Sequence, residues 1–278
     1  MSAPALPPLN VPALLRQHNL RPSKGLGQNY LVDEASLQKI TAAAGLGPSD
    51  TVLEIGPGLG SLTRHLARAA GRVIAVELDR KLIPVLENVL AGFKNVELIQ
   101  GDILELDLHT AIRVDGYRVV ANLPYYITSA VIRHLLESAP PPARLVLTVQ
   151  REVAERIVAA PPEMSLLALG VQFYCTARIV GRIPAGAFYP VPKVDSAVVR
   201  LDRRTEAAAP GVTAEAFFHA ARAGFSQPRK QLRNSLAAGL GVPPAQAEAW
   251  LIAAGIAPQR RAETLTLAEW GELARVMG

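Results

Sequence analysis

Apolar and polar positions alternate along this chain in two rhythms, short unbroken apolar runs and longer stretches with helical spacing. After a Pro-rich leader, Leu37 and Ile40 mark the inner face of a helix over 34–45, which Gly45 stops. Residues 51–55 form an apolar run that ends in Gly56-Pro57-Gly58-Leu59-Gly60, and 61–70 reads as a helix. The unit then repeats. Strands are expected over 72–78, 96–100, 117–121 and 144–149, with helices over 80–91, 129–138 and 151–159. Short apolar strands alternating with helices predict an α/β fold, Rossmann-like, with a mostly parallel doubly wound sheet covered on both faces. Residues 171–180 and 196–203 are β-rich and read as an antiparallel pair at the sheet edge. Residues 205–211 (TEAAAPG) read as a linker, and the Ala-rich pattern from 213 onward predicts a small all-helical domain. The expected domains are therefore 1–205 and 206–278.

Composition narrows the class. Half of the 278 residues are hydrophobic and 19% are charged, too apolar for a disordered chain. Charged residues interrupt every apolar stretch before the roughly 20 residues that span a bilayer, so no membrane partner is expected. The first fifteen residues lack a basic segment and are rich in proline, which argues against a secretory signal. A lone Cys175 allows no intrachain disulfide and no multi-cysteine metal site, and no metal is expected. The chain reads as soluble, cytoplasmic and monomeric. Its net charge is +5, and the distribution says more than the sum. Residues 1–32 hold Arg16, Arg21 and Lys24 without an acid. Between Glu215 and Glu248 there is again no acid, while Arg222, Arg229, Lys230 and Arg233 sit close together. Solvated helix faces usually mix signs, so these stretches point to a polyanionic partner, with those four residues as the expected nucleic-acid contacts.

The chemistry is expected at the carboxyl ends of the strands, where doubly wound sheets bind ligands. Gly56, Gly58 and Gly60 let the backbone turn sharply and approach a ligand with no Cβ in the way. Glu77, 21 residues after Gly56, suits a carboxylate that grips both ribose hydroxyls, and Asp102 is placed to accept from an adenine amino group. Glu54 lies inside a strand and is expected to need a cationic or hydrogen-bonding partner. Both NAD and S-adenosylmethionine fit a glycine loop followed by an acid. The spacing here is GxGxG rather than GxGxxG, and an acid precedes it, which favours a ligand without phosphates. S-adenosylmethionine is the expected cofactor.

Asn122-Leu123-Pro124-Tyr125 points to the acceptor. The exocyclic amine of a nucleobase is a poor nucleophile because its lone pair is delocalised into the ring. Methylating it calls for acceptors that hold its hydrogens while the nitrogen becomes tetrahedral. The Asn122 side-chain oxygen and a backbone carbonyl near Leu123-Pro124 supply them, and Pro124 stiffens the turn. Tyr125 can stack on a base taken out of its helix.

With these residues in hand, the chain resembles the ribosomal RNA adenine N6,N6-dimethyltransferases, most closely the small-subunit type. The marks are Lys24-Gly25-Leu26-Gly27-Gln28-Asn29-Tyr30-Leu31, Leu53 to Gly60, Glu77-Leu78-Asp79, Gly101-Asp102 and Asn122 to Tyr125. Others are Gln150 to Ala154, Phe188 to Ser196 and Phe225 to Asn234. The resemblance implies a class I methyltransferase domain, a helical rRNA-binding domain, and dimethylation of two adjacent adenosines near the 3′ end of small-subunit rRNA, on the immature subunit. It implies that Asn29, Leu31, Leu78 and Ile103 line the cofactor site with Gly56, Gly58, Glu77, Asp102 and Asn122. It also implies that Phe188 stacks on the adenine opposite Tyr125. Tyr30 stands where the family often has Phe, and Pro228 where it often has a basic residue. A non-catalytic RNA-binding factor and a large-subunit rRNA methyltransferase are the competing readings; the intact Asn122–Tyr125 turn argues against the first.

Overall fold

The computed structural model of the protein describes residues 6–278. The first five residues of the leader, included above in the reading that found no secretory signal, lie outside the described residues. From Pro7 onward the leader is tied down: the Arg64 guanidinium donates to the Pro7 carbonyl at 2.9 Å. Helix α1 (Val11–Gln17) then buries Val11 and Leu15. The two-residue strand β1 (Tyr30–Leu31) precedes α2 (Glu34–Ala44), which Asp33 caps by accepting from Ser36 N and which Gly45 closes at φ 59°. The strand–helix unit follows as β2 (Thr51–Ile55), α3 (Ser61–Ala69), β3 (Arg72–Glu77), α4 (Ile83–Leu90) and β4 (Val96–Gln100). It continues as α5 (Leu108–Ile112), β5 (Arg118–Asn122), α6 (Thr128–Glu137) and β6 (Arg144–Gln150). Next come α7 (Arg151–Ile157), α8 (Leu166–Tyr174), β7 (Cys175–Ile183), β8 (Phe188–Tyr189) and β9 (Ser196–Arg203). Four helices end the chain, α9 (Ala214–Gly224), α10 (Leu232–Leu240), α11 (Pro244–Ala253) and α12 (Leu267–Met277).

The main sheet has the order β4-β3-β2-β5-β6-β9-β7. Pairing is parallel from β4 through β6, and β9 runs antiparallel to β6. This is the Rossmann-like, mostly parallel doubly wound fold expected from the apolar pattern. Strand order reverses between β2 and β5, so a crevice opens at their carboxyl ends. A second sheet pairs β1 with β8 antiparallel, Tyr30 opposite Tyr189 and Leu31 opposite Phe188. Among the described residues no helix is long and apolar enough to cross a membrane.

The chain divides into two compact units, residues 1–154 with 178–202, and residues 155–177 with 203–278. Two expectations change here. Residues 171–174 are the end of helix α8, not the start of a strand. Phe173 and Tyr174 leave the β pattern because they join Phe217 and Phe218 in an aromatic cluster, with ring centroids 4.6–5.9 Å apart. Residues 155–177, assigned from sequence to the first domain, therefore fold with the helical unit. The TEAAAPG stretch is also more than a spacer. Ala209 is buried, and a Cβ on Gly271 of α12 would stand 2.7 Å from its Cβ, so only glycine permits this approach.

Candidate active site

A cavity opens at the carboxyl ends of β2, β3, β4 and β5. Apart from Gly60, it is lined by every residue the sequence reading named for cofactor or target base: Asn29, Leu31, Gly56, Gly58, Glu77, Leu78, Asp102, Ile103, Asn122, Leu123, Pro124, Tyr125 and Phe188. All belong to the first unit.

The loop after β2 holds Gly56, Gly58 and Gly60 at φ 70°, 61° and 86°, the left-handed region that side chains disfavour. At Gly58 space matters as well, since a Cβ would stand 2.9 Å from the Tyr30 ring. The Gly58 N–H donates to Glu77 Oε2 at 3.0 Å, and the Asp79 N–H donates to Glu77 Oε1 at 2.8 Å. Each carboxylate oxygen thus keeps a lone pair for a further donor. Burial nevertheless raises the Glu77 carboxyl above its ordinary range, with the backbone N–H groups of Asp79, Gly58 and Leu78 opposing and the Asp79 carboxylate reinforcing. On the other side Asp102 Oδ1 accepts from the Leu104 N–H at 2.9 Å, so one oxygen caps the turn and the other is left over.

Beneath the loop lies Glu54, 1% exposed. Burial pushes its carboxyl up to about 8, with Glu77 adding to the rise. The partner expected from sequence is missing at Oε2: that atom and Thr63 Oγ1 are both buried without a hydrogen bond. A neutral carboxyl carries a far smaller desolvation cost than an ion, which is why the site tolerates it.

The cavity's second wall comes from residues 26–31, where sequence reasoning named Asn29 and Leu31 but missed the residue that anchors the segment. Gln28 Oε1 accepts from the Ser23 N–H at 2.7 Å and from the Tyr30 hydroxyl at 2.9 Å, while Gln28 Nε2 donates to Asp79 Oδ2 at 2.8 Å. A long amide just after the Gly25-Leu26-Gly27 turn is the only trace of this in the sequence. Burial, then Glu77 and Asp79, push the Tyr30 hydroxyl far above its usual range and keep it a donor.

The turn after β5 completes the mouth. Asn122 Nδ2 donates to the Asn29 carbonyl at 3.0 Å, so its Oδ1 is the end left to accept. The Pro124 carbonyl already accepts from Ile127 N–H at 3.2 Å and from the Thr128 hydroxyl at 3.3 Å. Of the two carbonyls considered from sequence, Leu123's is therefore the one without a protein donor among the described residues. The Tyr125 hydroxyl and Ser196 Oγ are 3.0 Å apart, which fixes the ring's far end. Phe188 is only 3% exposed and packs with Leu31, Leu37 and Ile40, so it forms wall more than open platform.

The four cations expected to meet RNA lie in the second unit. Arg222, Arg229 and Lys230 are exposed. Arg233 is not free: its guanidinium pairs with Glu248 of α11 at 3.0 Å, the very acid that bounds the acid-free stretch in sequence.

Comparison with known proteins fits this geometry. The chain is 48% identical over 261 residues to a ribosomal RNA small subunit methyltransferase A of Dehalococcoides mccartyi, covering 94% of this chain and 90% of that one. Among solved structures, a dimethyladenosine transferase from Plasmodium falciparum superposes with a TM-score of 0.73 at 27% identity, over 88% of this chain and 95% of the other. The 23S rRNA methyltransferase ErmE superposes with a TM-score of 0.71 at 29% identity, over 89% and 99%. The ribosomal RNA adenine dimethylase family model matches residues 18–277. With almost its whole length accounted for, the chain belongs to the ribosomal RNA adenine dimethylase family.

Proposed function

We propose that this protein dimethylates N6 of two adjacent adenosines near the 3′ end of small-subunit rRNA, acting on the immature subunit as a cytoplasmic monomer. That it is an enzyme using S-adenosylmethionine follows from its family. The specific reading rests on one observation: a single cavity holds both a glycine-and-acid cradle and, at its mouth, a turn with two unused acceptors.

The residues present fit the cofactor. The Gly58 position admits no Cβ, and each Glu77 oxygen keeps a lone pair for a ribose hydroxyl. Asp102 has an oxygen left for the adenine amine. When bound, S-adenosylmethionine supplies an electrophilic methyl group. The chain's own part is to capture and hold the amine. Asn122 Oδ1 and the Leu123 carbonyl accept its two N–H groups and turn the nitrogen lone pair toward the methyl. These contacts strengthen as positive charge grows on nitrogen, so they favour the transition state over the ground state. Tyr125, held by Ser196, stacks on the adenine, and Phe188 closes the pocket behind it. No strong base is required, because the nitrogen turns acidic only after methylation and then releases its proton to water.

Fold alone does not separate small-subunit from large-subunit substrates, since ErmE shares it. The sequence likeness to the small-subunit enzyme is much the greater, and it favours that substrate. Labelled-methyl transfer into naked small-subunit rRNA and into immature subunits, with large-subunit rRNA alongside and the modified bases mapped, tests the reading. Two neighbouring dimethyladenosines are expected; label only in large-subunit rRNA, or none in either substrate, refutes it.

A further inference from the structure

The cations Arg16, Arg21 and Lys24 of the acid-free N-terminal stretch have no part in the chemistry above, yet the fold places them beside the cavity. A groove lined by Lys24, Lys193 and the turn between β8 and β9 continues outward from the cavity, with Gly27, Gln28, Asn29 and Tyr125 as walls common to both. A second hollow shares Pro22 with this groove and is lined by Arg16, Arg21 and Tyr189. No Asp or Glu lines either one. None of the four cations has an ion-pair partner among the described residues.

The groove also offers exposed apolar surface. Val191 is 65% exposed and Val194 45%, on the same turn as Lys193. Cations alternating with apolar faces are what a single-stranded nucleic acid asks for, phosphates on one and bases on the other. A target adenosine inserted into the cavity cannot remain in a helix, and its neighbours on the strand must leave through the mouth.

We propose that this groove holds the single-stranded RNA flanking the target adenosine. Its bases lie against Val191 and Val194, and its phosphates run past Lys24 and Lys193 and then Arg21 and Arg16. The proposal rests on the RNA-methylating reading of the same cavity and adds a second RNA contact surface, on the first unit, to the one expected in the helical unit.

The test measures binding of the full-length protein to two probes: a short single-stranded RNA with nucleotides on both sides of an adenosine pair, and the bare adenosine dinucleotide. Wild type is expected to bind the flanked RNA more tightly. The double variant K24A/K193A should lose about tenfold in affinity for it, and its log–log salt slope should fall by about 1.4, at about 0.7 per single-strand phosphate. Its affinities for the dinucleotide and for S-adenosylhomocysteine should stay within about twofold of wild type. An unchanged salt slope, an equal loss on the dinucleotide, or a wild type indifferent to the flanks overturns the groove. Methyl transfer to small-subunit rRNA by the wild type runs alongside. Its absence sinks the parent reading, whereas transfer with an unchanged slope sinks only the groove.

Discussion

Asn122 and Asn29 are joined across 93 positions of sequence by a single hydrogen bond, Nδ2 to the backbone carbonyl, at 3.0 Å. The bond commits one end of the Asn122 amide to structure and so presents the other end as an acceptor. Asn122→Ala should lower turnover by about 10²–10³-fold at saturating S-adenosylmethionine, the scale for removing one charge-stabilising group. RNA affinity should hold. Asn122→Asp keeps an acceptor but loses the donor to Asn29, so it should fall between the two in turnover. Steady-state rates on rRNA decide the matter: wild-type turnover in Asn122→Ala removes the residue from the chemistry.

Gly58 carries two constraints at once, its positive φ and the Tyr30 ring 2.9 Å from any Cβ. Gly58→Ala should cost about 1–2 kcal/mol in stability from the backbone alone, and it should weaken cofactor binding as well. Adding Tyr30→Leu relieves the crowding but not the φ strain. Calorimetry should therefore show part of the affinity recovered while the denaturation midpoint stays low. Full recovery of both would mean that the ring alone makes the glycine necessary.

The Glu54 carboxyl, near 8 in the folded protein, is ordinary when unfolded. The folded state then holds a proton that the unfolded state has released between those values. Its contribution to stability is present in full below pH 4.5 and is lost as pH rises toward 8, by up to about 1.4 kcal/mol per unit. Glu77 shifts the same way, so the comparison must be with Glu54→Gln, which removes only one of the two. Denaturant midpoints between pH 5 and 8 should decline less steeply in the variant; parallel curves would show that Glu54 is charged in the fold.

In the helical unit, Arg229→Ala with Lys230→Ala should weaken rRNA binding and flatten its salt dependence, leaving cofactor affinity as it was. Arg233→Ala should differ in kind. It strips Glu248 of its partner, so it should also lower the melting temperature of the unit. Equal salt slopes for wild type and the double variant would take this surface out of the interface.

Much of the fold was legible because β2, β3, β5 and β6 are buried on both faces and appear as short, largely apolar runs. The glycine loop, Glu77 and the Asn122 turn were legible for a related reason, each standing at the end of such a run, and Asp102 stands just past the more exposed β4. Strands β1 and β8 were not. Two residues each leave no periodicity, and their pairing exists only because the rest of the unit brings them together. Nor could local pattern show that Gln28 ties Ser23 and Tyr30 to the distant Asp79, or that Arg233 and Glu248 neutralise each other. In α8, bulky aromatics that look like strand residues serve a helix instead, because their partners lie some forty positions later.

The pairing of β1 with β8 also sets an order in time. Synthesis delivers the glycine loop, Glu77 and the Asn122 turn well before Phe188 and Tyr189 exist, so the growing chain carries the chemistry of the site without its closing wall. The pocket is finished only when that late strand finds Tyr30 and Leu31 near the start of the chain. A nascent copy therefore has no completed pocket until most of its first unit has been translated.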